Sequence, residues 1–359
     1  MARGRRAAGT MVGMRASEAR AAAADWIERH GGRLPGFAGA YLGGSTAALP
    51  PDAPVPPGSD VDVMVVTEGP APGVKPGKLR HLGALLDVTL VPAEQLASPD
   101  AVLSDYHLAP ALRADTVVAD PAGRLTALHE DVARRFAEPR WVAARQAHAL
   151  RRVTDGLRGL DATAPWPQAV TAWLFPTGVT THVLLVAALR NPTIRLRYVA
   201  ARDLLAAHGL ARRHEELLEL LGSAALTAPR AEQHLRALAD TFDAAAAVAR
   251  TPFAYASDIT PAARAVSIDS LYARIRAGQH REVAFWLAAT AARCHTVLDA
   301  DAPEALREER APHFAALLAD LGIDSPADLT ARAADVLAHL PTLTDTADAV
   351  RHAVAGSSS

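Results

Sequence analysis

The chain has 359 residues, with 37 lysines and arginines against 39 aspartates and glutamates, a formal net charge of −2 and 50% apolar residues. That balance excludes a disordered chain and leaves no electrostatic footprint for nonspecific binding to long nucleic acid. Its single cysteine, Cys294, excludes an intrachain disulfide and a cysteine-based zinc cluster, and the length leaves room for two domains with separate cores.

The opening Met1-Ala2-Arg3-Gly4-Arg5-Arg6 is basic, but no sustained apolar segment follows it as a signal peptide needs, and Met11 and Met14 are alternative starts. No run approaches the roughly 18 apolar residues of a membrane span, so a cytoplasmic location is the expectation. A helix is predicted over residues 16–30, ended by Gly31-Gly32, and a strand over 38–42 leads into Gly43-Gly44-Ser45-Thr46. The stretch 46–59 carries Pro50, Pro51, Pro54, Pro56 and Pro57, which predicts a short helix after the glycine turn and then an extended loop.

A strand over 60–67 follows, in which Asp60 and Asp62 share one face while Val61, Val63 and Val65 point into a core. The loop Gly69-Pro70-Ala71-Pro72-Gly73 leads to Leu85-Leu86-Asp87-Val88-Thr89-Leu90-Val91, which reads as a buried strand with one charge. Lys75 and Lys78, the only lysines, lie in the loop between the acidic strands; one reading has them reach a triphosphate or the departing pyrophosphate, and the favoured one has them as solvated loop charges. Residues 116–119 form a further predicted strand, with Asp120 capping the next helix and Pro121 in its first turn.

From Arg140 onward alanine, leucine and arginine dominate, with apolar residues at helical spacing such as Leu204, Leu205, Leu217, Leu218, Leu220 and Leu221. Breaks fall near Ala164-Pro165-Trp166-Pro167, Asn191-Pro192, Gly222-Ser223, Thr251-Pro252 and Ala302-Pro303. The expected fold class is therefore α+β: a small mixed-sheet domain over residues 16–138, followed by an all-α helical bundle over 139–355. Gly356-Ser357-Ser358-Ser359 reads as a frayed tail, and Cys294 as a buried structural thiol.

Two carboxylates held side by side on a strand repel unless a cation sits between them. Magnesium takes hard oxygen ligands at about 2.0–2.1 Å and keeps positions free for water and phosphate. A third carboxylate on a neighbouring strand, Asp87, completes an arrangement in which two ions roughly 3.5–4 Å apart stabilise the attacking and leaving oxygens of an in-line displacement. Gly43 and Gly44 let a phosphate approach the backbone, and the Ser45 and Thr46 hydroxyls add donors.

At these residues, over about 41–91, the chain resembles the nucleotidyltransferase superfamily related to DNA polymerase beta, closest in style to the antibiotic or aminoglycoside nucleotidyltransferases. The resemblance implies catalytic, metal-binding Asp60, Asp62 and Asp87, with Gly43, Gly44, Ser45, Thr46 and Ser59 on the nucleotide. It implies two Mg2+ ions, ATP or another nucleoside triphosphate as substrate, and transfer of AMP to a hydroxyl of a small molecule with release of pyrophosphate. In such enzymes a helical-domain carboxylate can act as base; Asp203, Glu215, Glu216 and Glu282 are the candidates here, with Asp87 as an alternative. His280 is a further site candidate, Phe285 and Trp286 read as packing residues, and Arg195, Arg197 and Arg202 are local cations able to contact phosphate. Two other readings stand beside this one: antitoxin-type AMP transfer to a protein or RNA, and a noncatalytic nucleotide-binding module.

Overall fold

Val61, Val63 and Val65 are fully buried and alternate with Asp62 and Met64, the period that seats one face of a strand on a core. The computed structural model describes residues 13–69 and 75–357. The readings placed on residues 1–6, 11, 70–73 and 358–359 lie outside them. Among the described residues β1 (Phe37–Gly43), β2 (Val61–Thr67), β3 (Gly77–His81), β4 (Ala84–Pro92) and β5 (Val117–Ala119) form one mixed sheet, in the order β3-β4-β2-β1-β5. The protein is α+β. β2 and β4 run parallel, and the other pairs are antiparallel.

β3 stands where a loop was expected. Leu82 and Gly83 both adopt positive φ, 45° and 86°, and this two-residue turn folds β3 back onto β4. Lys78 is thereby a strand residue.

Helix α1 (Ala16–Arg29) lays Ala19, Ala23 and Ile27 on the valine face of the sheet. α2 (Gly44–Ala47) is the single short turn expected after the glycines. The opposite face of the sheet is covered in part by α3 (Pro99–Ser104), α4 (Ala109–Leu112) and α5 (Arg124–Arg135), which pack Val102, Leu103, Leu112 and Val132 with Tyr41, Val66 and Val91. α5 begins later than expected: Gly123, at φ +71°, precedes it, Pro121 lies outside it, and Asp120 accepts the Thr126 N–H at 2.8 Å from a distance.

Helices α6 (Pro139–Arg158), α7 (Trp166–Ala187), α8 (Arg197–Ala207), α9 (Ala211–Leu221), α10 (Ala228–Val248), α11 (Ser270–Arg276), α12 (Ala284–Asp301), α13 (Glu304–Asp320) and α14 (Pro326–Ser357) follow. The expected proline and glycine breaks fall at their junctions; Gly222, at φ +87°, ends α9. Pro176, Pro312 and Pro341 instead lie inside helices.

The expectation that nothing resembles a membrane span needs correction. α7 has 22 residues and a mean hydropathy of 1.4 over its most apolar window, enough by length and composition to cross a bilayer. Its polar interruptions hid it as an apolar run. However, 72% of that window is buried inside the protein, where Trp173, Leu174, Val183 and Leu184 fill the bundle core. Cys294, on α12, is buried there too, and burial pushes its thiol pKa up.

The segment between α10 and α11 leaves the bundle and returns to the sheet. Val266 joins the valine core, and a Cβ on Gly77 would lie 2.2 Å from the Ser257 Cβ. Gly58, at φ +72°, approaches the same segment so closely that a Cβ would lie 2.4 Å from the Ser270 Cβ and 2.8 Å from the Ala265 carbonyl oxygen. Gly58→Ala is therefore expected to lose about 1–3 kcal/mol of stability from backbone strain alone. An unchanged urea midpoint and slope for this variant would show that the contact is not rigid.

Candidate active site

The parallel register of β2 and β4 sets Asp62 beside Asp87, and the flanking strands extend the row to Gly43 on one side and Lys78 on the other. Asp60 stands two residues before Asp62 on the same face. One carboxylate oxygen from each of Asp60, Asp62 and Asp87 can be chosen so that all lie within 4.8 Å of one another. Three hard oxygen donors this close, all on one face, suit a divalent cation.

The glycine turn is shaped around Asp62. Gly44 has φ +67°, and a Cβ there would lie 1.7 Å from Asp62 Oδ2, so any other residue is strained and must displace the Asp62 carboxylate. Gly43 is less constrained, since its added Cβ would meet the Asp62 Cβ at an ordinary 3.6 Å. Gly43, Gly44 and Ser45 line the cleft in front of the sheet. Thr46 is buried, and its hydroxyl donates to the Asp60 carbonyl at 2.7 Å, so it pins α2 to the start of β2. Ser59 lies outside the lining, with its N–H bonded to the Pro56 carbonyl at 3.1 Å.

Neither lysine is a free loop charge, since both pair with the carboxylates. Lys78 has a side chain only 6% exposed, with its Nζ 3.0 Å from Asp60 Oδ2, in contact with Asp87 Oδ2, and 3.4 Å from Asp258 Oδ1. Lys75 Nζ lies 3.2 Å from Asp87 Oδ1. The expectation failed because β3 turns the intervening segment inward. Burial works against the Lys78 charge, yet Asp60, Asp258 and Asp87 outweigh it and raise the ammonium above the ordinary lysine range. Burial likewise opposes the Asp87 charge, but Lys78 and Lys75 hold its carboxyl below the usual range. Asp62 behaves oppositely: burial first, then Asp60 and Asp87, push it up to about 8 against the pull of the lysines. The carboxylate cluster has a deficit of positive charge at Asp62, the sign a bound cation would correct.

The helical half contributes Asp258. Its Oδ2 accepts from Arg293 Nη1 at 2.9 Å, and the Arg293 guanidinium packs 5.0, 5.1 and 5.2 Å from the ring centres of Tyr255, Phe175 and Trp286. Arg195 also lines the cleft, with Nη1 donating to Ser270 Oγ at 2.6 Å; burial lowers its pKa and Asp60 and Asp62 partly offset this. The cleft has a volume of about 390 Å³, and its lining joins Asp60, Asp62, Asp87 and Asp258 to the cations Lys75, Lys78, Arg195 and Arg293.

The helical acids singled out from sequence do not line this cleft. Glu282 pairs with Arg202 and His214, Glu215 with Arg281, Glu216 with Arg213, and Asp203 with Arg202. His280 is also absent from the lining, whereas Trp286 belongs to it while Phe285 packs in the core. Asp258 was missed because it sits in a short irregular segment after the Thr251-Pro252 break, where helical periodicity carries no information. Its one signal was a polar and aromatic interruption between long helices.

Comparison with protein-family models, curated proteins and solved structures finds no match to this chain.

The geometry at Gly44 makes a sharp contrast with its neighbour. Gly44→Ala should displace the Asp62 carboxylate and weaken Mn2+ binding by about 10–100-fold, while Gly43→Ala leaves it near wild type. Paramagnetic titration of Mn2+ reads this directly; equal affinities for the two variants would refute the role given to Gly44.

Proposed function

We propose that the protein is a divalent-cation-dependent nucleotidyltransferase that moves a nucleoside monophosphate, AMP from ATP in the first instance, onto a hydroxyl of a small molecule. The observation that carries this reading is the in-register pair Asp62 and Asp87, with Asp60 beside them, facing the Gly44-Ser45 turn.

Asp60, Asp62 and Asp87 would hold Mg2+, two ions in the full form of the reading. Bound there, the metal supplies charge neutralisation for the phosphoryl oxygens. The chain's own groups supply the rest. Gly43, Gly44 and Ser45 line the cleft, where a phosphate can approach the backbone and the Ser45 hydroxyl can donate to it. Lys75 and Arg195, both lining the cleft, complement the negative charge of a triphosphate and of the departing pyrophosphate. Asp258 reaches the cleft from the helical half, and we assign it as the group that accepts the proton of the attacking hydroxyl. The hydroxyl oxygen forms its new bond to the α-phosphorus as the bond from that phosphorus to pyrophosphate breaks.

A second reading, nucleotide binding without transfer, is favoured by one observation: the Lys78 ammonium already lies among Asp60, Asp87 and Asp258. Turnover separates the two. Pyrophosphate release should be measured with each nucleoside triphosphate, Mg2+ and a panel of hydroxyl acceptors, with mass spectrometry of the products. Asp62→Asn is expected to stay folded and lose about 10²–10³-fold in turnover. Full activity of this variant would remove Asp62 from the mechanism, and tight ATP binding by the wild type with no pyrophosphate release would favour the second reading. Asp258→Asn is expected to lower kcat more than it raises KM, and a change confined to KM would assign Asp258 to binding instead.

A further inference from the structure

A second cavity of about 290 Å³ adjoins the cleft and shares His107 and Ile194 with it. It is built mainly from the helical half: Arg152 and Gly156 on α6, Phe175 and His182 on α7, and Arg197 at the start of α8. No carboxylate lines it among the described residues, although two arginines do.

Arg197 is the unusual member. It is only 2% exposed and forms no ion pair among the described residues. Its Nε donates to the Ile194 carbonyl at 2.7 Å, and its guanidinium lies 4.1 Å over the Phe285 ring, contacts that fix its position without supplying a counter-charge. Its Nη1 is buried with no hydrogen-bond partner among the described residues. Arg145, fully buried elsewhere in the protein, differs in that both terminal nitrogens are satisfied: its Nη1 and Nη2 donate to the carbonyls of Leu103 and Phe136 at 3.0 and 2.7 Å, and among the described residues its Nε alone lacks a partner. A guanidinium out of water without such acceptors is unfavourable unless something negative joins it.

The fold makes room for this group. A Cβ on Gly178 would lie 2.6 Å from Arg197 Nη1 and 2.6 Å from the Phe285 ring, so α7 carries a glycine where the guanidinium packs. Burial pulls Arg197 down only to about 10, so it is charged at neutral pH. His182, 3% exposed, bonds to the Thr193 carbonyl through Nε2 at 2.9 Å, and its Nδ1 is a second buried polar atom without a partner. Arg152 is exposed and lines the same cavity, together with Tyr106.

We propose that this second cavity is the subsite for an anionic group, a carboxylate or a phosphate, on the acceptor molecule, with Arg197 as its buried counter-charge and Arg152 beside it. The proposal rests on the transfer reading and defines its acceptor as an acidic small molecule rather than a cationic one. The cavity's helical lining favours the acceptor over the nucleotide, whose phosphates are assigned to Gly44 and Ser45 on the sheet. Tyr106 and Phe175 provide flat apolar surface beside the charge, so a ring bearing the acid fits the lining.

The test uses the full chain and calorimetric titration at constant ionic strength, with benzoate, phenyl phosphate and the neutral benzyl alcohol as probes. At least one anion is expected to bind saturably and benzyl alcohol not to bind; benzoate against phenyl phosphate decides between carboxylate and phosphate. Arg197→Met, which keeps the volume and removes the charge, should weaken the anion by at least about tenfold. Arg152→Ala, at an exposed position, should weaken it about threefold or more and serves if the Met variant fails to fold. Binding of neither anion, or affinity unchanged in the folded variants, overturns the subsite. Asp62→Asn keeps the subsite readout separate from catalysis: it should retain the anion affinity while losing pyrophosphate release. Full turnover of Asp62→Asn with intact anion binding would sink the transfer reading and leave the anion site standing.

Discussion

Four carboxylates cannot share one cleft without cations among them, and much of the local architecture follows from that constraint. Asp60, Asp62 and Asp87 come from the sheet and Asp258 from the helical half, while Lys78 touches three of the four from a side chain 6% exposed. In a medium of low polarity a lone ammonium or a lone carboxylate is costly, but a group of opposite charges in contact is tolerated. The β3 hairpin is what brings Lys78 to this place, and the Gly77 close approach to Ser257 is what lets β3 meet the segment that carries Asp258.

Near the site, the two halves meet through charge and backbone rather than through a broad apolar face. From the helical half, Val266 enters the apolar core beneath the sheet and Ala262 packs against it. Around it lie the Lys78–Asp258 pair, the Arg195 bond to Ser270 and the tight fit of Gly58. Arg293 extends the same logic one layer further, since three aromatic rings and the Asp258 carboxylate fix the guanidinium on the cleft wall. Each of these contacts positions a charged group at the cleft without filling the cleft.

The sheet-side carboxylates were legible because strands obey a short-range rule. Alternation in the run from Asp60 into β2 puts Asp60 and Asp62 on one face, and a single charge in the apolar run of β4 marks Asp87. Proline and glycine also marked the helix junctions from Pro165 to Pro303, because missing donors and positive φ act locally. The same local reading failed at Lys78, where the turn puts Leu82 rather than asparagine, aspartate or glycine before Gly83, and at Asp120, where a glycine three residues on decides the helix start.

What the sequence determined by itself was the α+β class, the apolar periods and the shared face of the first two aspartates, because these depend on neighbours within a few residues. Only the tertiary structure decided that Asp258, rather than Asp203, Glu215, Glu216 or Glu282, reaches the cleft, and that Arg197 is buried without a counter-charge among the described residues. An acid on a helix has the same local sequence whether it faces solvent, a basic neighbour or a site. Its role is set by which distant elements pack against it, through long-range contacts that no helical period encodes.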